Sequence, residues 1–245
     1  ASTNPAVISY DPAFGYELGN IVKDGLRRMY GENSENVYYY LTVYNEPYQQ
    51  PAEPENLDVE SLLKGIYLLK KPLRWRRKKV ALLASGVAVN WAIKAQKLLN
   101  DDFGIAATIY SVTSWNELRR DGLAVDRHNL LNPDKKVSAF ITKKLKKESG
   151  PVIAVSDFMR SVQDQIAPWV SQPFYSLGTD GFGLSDTRGA LRRHFKVDAE
   201  SIAVAALSQL HKEGLVSKRK VKKAISKYQI NDVTAAEAGN TEGSG

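Results

Sequence analysis

Short apolar runs alternate with longer amphipathic stretches from residue 80 onward. The apolar runs predict buried strands, and apolar positions spaced three and four residues apart predict helices between them. We expect strands at 80–84, 106–112, 152–155 and 174–177, and helices over 89–99, from 114, over 158–170, 185–194, 199–212 and 217–227. Strands separated by helices predict an α/β fold, with a mostly parallel sheet and helices on both faces.

The first part of the chain carries a sparser pattern of the same two kinds. Residues 6–9 predict a strand, and Asp11 followed by Pro12 predicts the cap and the first position of a helix. Tyrosine and β-branched residues predict a second strand over 36–44, and 62–69 predicts a third. A mostly polar tail without a period, residues 231–245, is expected to be disordered.

The net charge of +7 is concentrated in three short runs. Residues 70–79 contain seven Lys or Arg, 135–147 contain six, and 212–223 contain six against one Glu. The rest of the chain has a net charge of −11. This distribution favours a basic solvated linker at 71–79 and two basic helix ends or faces over a continuous nucleic-acid surface, which would interleave more aromatic residues with the charges.

Composition excludes several classes of protein. The chain has no cysteine and only three histidines, so a disulfide framework or thiolate metal site is excluded and a histidine-rich metal site is not expected. No apolar stretch reaches the roughly 20 residues of a membrane helix, and the first residues lack a signal-peptide pattern. We therefore expect no membrane span and a cytoplasmic location.

A glycine-rich segment, GTDGFG at 178–183, resembles a loop that cradles phosphate groups. Its spacing does not match a dinucleotide-binding motif, so a tight connection between a strand and a helix is favoured. In that interpretation Gly181 or Gly183 has a positive φ, and Ser185 caps the helix carrying Arg188, Arg192 and Arg193. Gly86, which follows a buried strand, is only a weak indication of a mononucleotide site.

Three aspartates could form an acidic magnesium cluster at strand ends: Asp157, Asp180 and Asp186. Helix capping explains Asp157 equally simply and is favoured. The three histidines, His128, His194 and His211, match no catalytic spacing and are expected to be structural or surface residues.

Five long phrases carry a resemblance to a known family. They are ISYDPAFGYELGNIVKDGLRRMYGE, ENVYYYLTVYNEPYQQPA, KGIY, IYSVTSWNELRRDG and LGTDGFGLSDTRGALRRHFKVDAESIAVAAL. From about residue 7 to residue 230, the chain resembles the C-terminal third of the homodimeric pyruvate dehydrogenase family, the acetyl-transferring decarboxylase component of the bacterial pyruvate dehydrogenase complex.

The resemblance implies a transketolase-type enzyme with three α/β domains. Residues 1–70 would be the tail of the domain that binds the aminopyrimidine ring of the cofactor, so part of a second α/β domain precedes the main sheet. Residues 71–79 would be the basic linker. Residues 80–230 would form the transketolase-like C-terminal domain, which helps to hold the dimer.

The resemblance also implies thiamine diphosphate and magnesium as cofactors of the full-length family enzyme. The family binds them through a GDG motif followed by an asparagine. The Asp-Gly pairs of this chain, at Asp24, Asp121 and Asp180, follow Lys, Arg and Thr, so none completes that motif. We therefore expect no catalytic, cofactor-binding or metal-binding residue in this chain, and no cofactor bound by it alone.

Two functional hypotheses follow. In the first, the chain is a piece of the pyruvate-decarboxylating component and supplies scaffold and dimer contacts. Its partners would be a second copy of the chain, the upstream domains and the lipoyl transacetylase component, with no nucleic acid and no membrane. In the alternative, it is a non-catalytic structural subunit of the same fold, incorporated in a larger assembly.

Overall fold

The computed structural model describes residues 3–236. The strands are β1 (Val7–Tyr10), β2 (Tyr38–Leu41), β3 (Tyr67–Lys70), β4 (Lys79–Ala84), β5 (Ala106–Ser111), β6 (Val152–Val155) and β7 (Phe174–Leu177). The helices are α1 (Gly15–Tyr30), α2 (Val59–Leu63), α3 (Ala88–Phe103), α4 (Trp115–Leu131), α5 (Phe140–Leu145), α6 (Arg160–Asp164), α7 (Arg188–Phe195), α8 (Ala199–Lys212) and α9 (Lys218–Lys227). Within this part of the chain, no helix is long and apolar enough to cross a membrane.

The larger sheet has five strands in the order β3-β5-β4-β6-β7. Strand β4 lies parallel to both β5 and β6, and β7 lies parallel to β6. Strand β3 is the antiparallel exception at one edge. The predicted α/β fold with a mostly parallel sheet is confirmed.

Helices cover both faces of this sheet because alternate side chains of its central strand point to opposite sides. Val80, Leu82 and Ala84 pack in a cluster with α3, α8 and α9. Ala81 and Leu83 pack on the other side with residues of α4, α5 and the segment around Ile166. A strand buried on both faces has a continuous apolar run in the sequence, which is why the pattern at 80–84 was informative.

The smaller sheet consists of β1 and β2, paired in parallel. Ile8 and Tyr10 of β1 pack with Ile21 of α1, Leu62 of α2 and Tyr67 of β3. Because Tyr67 also belongs to the edge strand of the larger sheet, this small core joins the two sheets.

The first helix begins later than expected. Asp11 and Pro12 precede it, and α1 starts at Gly15, where the Glu17 carboxylate accepts hydrogen bonds from the backbone N–H groups of Ala13 and Phe14. The predicted cap at Asp11 is therefore wrong. The buried Glu17, six residues after Asp11, instead accepts the free N–H groups that precede α1.

Two other segments differ from the pattern. Residues 62–69 contain the end of helix α2 and the start of β3 instead of one strand. The predicted helix over 158–170 is divided into α6 and a 3-10 turn at Ala167–Trp169. Helix α5 was not expected, since its six residues lie within a basic run with little apolar signal.

The glycine-rich connection after β7 contains one confirmed prediction and one error. Gly181 has a φ of 97°, one of the two alternatives expected. Ser185 does not cap the following helix: α7 starts at Arg188, and the Thr187 hydroxyl accepts a hydrogen bond from the backbone N–H of Ala190. Both hydroxyl residues are good caps, and only the path of the loop decides between them.

The division of the chain into 1–70, 71–79, 80–230 and 231–245 stays a prediction. Strand β3 pairs with β5, so a cut at residue 70 would remove an edge strand from the larger sheet. Within the tail, Val233–Ala235 forms a 3-10 turn, whereas residues 237–245 lie outside the described residues.

We predict that Thr187→Ala lowers the free energy of unfolding by about 0.5–2 kcal/mol, because the first turn of α7 loses its side-chain acceptor. The exposed Ser185→Ala is the matched control and should change stability by less than about 0.5 kcal/mol. Urea unfolding followed by circular dichroism measures both. An equal loss for the two variants would show that Thr187 is not the cap.

Candidate functional site at the junction of the two sheets

Asp11 lies directly after β1, where the carboxyl end of the smaller sheet meets the larger one. Its carboxylate accepts hydrogen bonds from the hydroxyls of Thr42 (2.5 Å), Tyr44 (2.8 Å) and Ser85 (2.6 Å). Thr42 and Tyr44 follow β2, and Ser85 follows β4 of the larger sheet. The side chain is 5% exposed, so the carboxylate joins both sheets inside the protein.

Ser85 connects this carboxylate to the helix layer. Its Oγ accepts a hydrogen bond from the indole Nε1 of Trp115 at 3.0 Å while donating to Asp11. The neighbouring Gly86 has a φ of 53°, and its backbone N–H donates to the Asp11 carbonyl at 3.1 Å. A Cβ atom on Gly86 would lie 2.3 Å from the Tyr44 hydroxyl, so this turn requires a glycine for both backbone and space.

Glu17 forms a second buried link between the sheets. One carboxylate oxygen accepts the hydroxyls of Tyr67 (2.6 Å) and Ser111 (2.7 Å), which belong to β3 and β5. The other oxygen accepts the backbone N–H groups of Ala13 and Phe14. A buried carboxylate requires hydrogen-bond donors, and these four groups supply them to Glu17.

Burial raises the pKa of both carboxyl groups, and their hydroxyl donors oppose that effect only in part. Asp11 takes its donors from the loop after β2 and from the end of β4, whereas Glu17 joins the start of α1 to β3 and β5, so the two acids together hold the first part of the chain against the larger sheet. The geometry is typical of a structural junction, and Asp11 also lines a groove of about 340 Å³ together with Thr42 and Trp115.

A groove of about 260 Å³ lies beside the junction, between the loop after β2 and helix α7. Arg192 of α7 donates to both carboxylate oxygens of Glu46, and its guanidinium lies 4.6 Å from the ring centroid of Trp91. Arg188 donates to the side chain of Asn45 at 3.2 Å. These contacts form a third connection between the two parts of the chain.

Asp157 lines the same groove. Burial raises its pKa, Arg192 opposes that effect, and the nearby acids Asp11 and Glu46 add to it, so that the pKa is about 6. Its Oδ1 atom is buried and has no hydrogen-bond partner within the described part of the chain. The pKa of this carboxyl group therefore lies well above that of an ordinary aspartate.

The structure separates the three aspartates that were candidates for a magnesium cluster. Asp180 accepts a hydrogen bond from the backbone N–H of Arg160 at the start of α6, and Asp186 accepts from the N–H of Thr187. Asp157 does not cap α6, whose preceding residue Met159 makes no side-chain cap. The favoured capping role of Asp157 is thus wrong, and Asp180 holds that helix start instead.

The glycine-rich segment packs closely on the chain that follows β6. A Cβ atom on Gly178 would lie 2.4 Å from the Phe158 carbonyl oxygen. The Thr179 N–H donates to that same carbonyl, and its hydroxyl donates to the Asp157 carbonyl. These contacts favour the interpretation as a connection between β7 and α7.

The histidines lie away from the junction. His128 and Lys135 meet near the end of α4, His211 contacts the Val216 carbonyl, and His194 packs edge-on against Phe195. Sequence reasoning did not identify Glu17, Ser85 or Ser111 as site residues. The position of Ser85 and Ser111 at the carboxyl ends of parallel strands is a signal that could have indicated these two residues.

The donors required for a magnesium diphosphate group are not assembled here. Among residues 3–236 there is no group of three or more His, Asp or Glu side chains suited to a metal ion. The residues of the junction therefore do not fit the magnesium ion that accompanies thiamine diphosphate.

The fold and the packed junction define an α/β protein of transketolase type. Residues 65–198 match the family model of the transketolase-like TK C-terminal domain, and the chain belongs to that family. Residues 1–51 match the model of the pyruvate dehydrogenase E1 component middle domain. The resemblance found in the sequence is confirmed by both matches.

Curated relatives identify the same group of proteins. The chain is 54% identical to a pyruvate dehydrogenase E1 component of Mycolicibacterium smegmatis over 96% of its own length and 26% of the relative's length. It is 50% identical to that of Mycobacterium tuberculosis and 44% identical to that of Escherichia coli K12, over 99% and 94% of this chain and 26% of each relative. The chain thus spans about a quarter of the length of the curated relatives it matches.

Solved structures support the fold. A transketolase of Pichia stipitis in complex with sedoheptulose 7-phosphate matches with a TM-score of 0.57 at 20% identity, over 88% of this chain and 28% of that one. A split-gene transketolase, described as an inactive β4 tetramer, matches with a TM-score of 0.53 at 18% identity, over 86% of this chain and 59% of that one.

We predict that Ser85→Ala lowers the free energy of unfolding by about 1–3 kcal/mol, because it removes one donor from the buried Asp11 and the acceptor of Trp115. The exposed Ser138→Ala removes the same hydroxyl type outside the junction and should have little effect. Thermal unfolding compares the two variants. An unchanged midpoint for Ser85→Ala would contradict the structural role of the link.

We predict that Asp157→Asn stabilises the protein by about 1–3 kcal/mol at pH 7.5. Folding raises the pKa of Asp157 from the ordinary 3.8 to about 6, so the native state favours the protonated acid. As the pH rises between about 4 and 6, the wild type consequently loses the stability that protonated Asp157 contributes, and the variant lacks this particular loss. Melting curves at pH 4 and pH 7.5 should show a larger difference at the higher pH.

The exposed Asp134→Asn is the matched control and should show no such pH-dependent gain. A constant difference between Asp157→Asn and the wild type across this pH range would mean that the Asp157 carboxyl titrates in the folded protein much as it does in the unfolded chain.

Proposed function

We propose that this chain is the C-terminal part of a pyruvate dehydrogenase component that decarboxylates pyruvate and acetylates lipoyl groups. The observation that carries the proposal is the 54% identity to a pyruvate dehydrogenase E1 component along 96% of the chain. The match to the middle-domain model at 1–51 supports it, because the two family models occur in this chain in succession.

In this proposal the residues of the chain act as scaffold and as dimer contacts. Asp11 and Glu17 fix the smaller sheet against the larger one, and Glu46 with Arg192 closes the groove beside them. A rigid junction of this kind keeps neighbouring catalytic groups in register, which is a large part of enzymatic rate enhancement.

Thiamine diphosphate and magnesium belong to the proposal as cofactors of the longer enzyme, where the thiazolium ring serves as an electron sink. The chain alone is expected to bind neither. The proposed partners are a second copy of the same polypeptide, the upstream domains and the lipoyl transacetylase component, in the cytoplasm.

A chimera tests the proposal. The matching quarter of the Mycolicibacterium smegmatis pyruvate dehydrogenase E1 component is replaced by this chain, and pyruvate decarboxylation is measured with thiamine diphosphate and magnesium. We expect activity within about tenfold of the parent, because a correctly placed scaffold costs less than about 1.4 kcal/mol of transition-state stabilisation.

The control is the same chimera carrying Ser85→Ala and Ser111→Ala, which weaken both carboxylate links. It should lose activity or thermal stability relative to the first chimera. A folded, dimeric chimera without activity would contradict the proposal and favour the alternative, a non-catalytic subunit of the same fold.

A further inference from the structure

Two basic segments that are far apart in the sequence border the same end of helix α3. The first, residues 71–79, runs beside the helix: the Lys71 carbonyl accepts a hydrogen bond from Gln96, and the Arg76 Nε lies 3.9 Å from the position of a Cβ on Gly104. The second is α9, whose Lys220 Nζ donates to the Phe103 carbonyl at 3.1 Å. Tertiary folding therefore joins them into one surface, which we call the α3-end face (residues 71–79 and 218–227).

The α3-end face carries twelve Lys or Arg residues and no acid. Within the described part of the chain, the only ion pair of these twelve joins Lys227 to Asp102, at 2.5 Å. The exposed carbonyls at the end of α3 account for one cation, since a positive charge is favoured at a helix C-terminus. Most of the remaining cations have no ion pair within residues 3–236, and a concentrated positive field of this kind attracts anionic groups.

An exposed aromatic residue lies within this surface. Trp75 is 80% exposed and Leu73 is 54% exposed, between basic residues on both sides. Tryptophan and arginine are the residue types that most often dominate protein–protein binding energy. The aromatic residue next to this face, Tyr228, donates a hydrogen bond to Asp102 and makes an edge contact with Phe103.

We propose that the α3-end face is a docking site for an acidic polypeptide segment that also carries apolar side chains. Charge complementarity selects the acidic partner, and Trp75 with Leu73 supplies the apolar contact. A single-stranded nucleic acid would need several free aromatic side chains along the basic track, and the face offers one. The basic run at 135–147 does not belong to this face, because α4 and α5 pack on the opposite side of the larger sheet.

The test uses the full 245-residue chain and a fluorescein-labelled peptide of repeating Glu-Glu-Leu, with binding followed by fluorescence anisotropy. Arg74→Glu with Arg77→Glu changes the first segment, and Lys222→Glu with Lys223→Glu changes the second. Each pair should weaken binding by about tenfold or more, which is 1.4 kcal/mol or more. The same pairs changed to Gln should give a smaller loss, and melting curves verify that every variant folds.

Lys135→Glu with Lys136→Glu is the matched control, since it changes the net charge equally on the opposite side, and it should weaken binding by less than about twofold. Trp75→Ala should weaken binding of the Glu-Glu-Leu peptide more than that of polyglutamate. The proposal is overturned by absence of peptide binding, by equal losses in the control, by an effect of only one segment, or by tighter binding of an oligothymidylate of equal charge.

Discussion

Buried carboxylates that take hydrogen bonds both from the first part of the chain and from the larger sheet are the constraint on which this structure depends. A buried acid without donors would cost several kcal/mol, so Asp11 and Glu17 are stable only where the strand ends place hydroxyl and N–H groups around them. Ser85 follows a strand of the larger sheet, and Tyr67 and Ser111 belong to that sheet; the remaining donors come from the loop after β2 and from the segment before α1. Moving the sheets apart would remove the Ser85 hydroxyl from Asp11 and the Tyr67 and Ser111 hydroxyls from Glu17, which is why the relative placement of the sheets is fixed.

The same junction explains where the unusual groups lie. Parallel strands bring their carboxyl ends to one edge of a sheet, and this edge faces the loop after β2. Asp157 follows β6 at that edge, where burial and two neighbouring acids raise its pKa to about 6. Arg192, held against Glu46 and Trp91, is the nearby cation that offsets part of this effect. Polar residues therefore gather at the junction because of topology, and their hydrogen bonds make it rigid.

Charge in this molecule is organised by side of the sheet more than by position in the sequence. The runs at 70–79 and 212–223 meet at the end of α3, whereas the run at 135–147 contains α5 on the other face. In the run at 135–147, Lys144 forms an ion pair with Asp58, so part of the charge of this run is neutralised within the fold. The sequence shows three basic runs of similar charge. Only the packing of the chain shows which of them form one basic face and which contain charges with local partners.

The sequence by itself determined the α/β class, most of the strands of the larger sheet and the family, because a central parallel strand is apolar on both faces and long phrases such as IYSVTSWNELRRDG are specific. It did not determine the helix starts at Gly15 and Arg188, since Asp11 and Ser185 are equally good caps when only local chemistry is considered. Tertiary structure assigned Asp11 to hydroxyls more than thirty residues away along the chain. The local sequence indicates which side chains need a hydrogen-bond partner. Only the folded arrangement of both sheets determines which partner each side chain has.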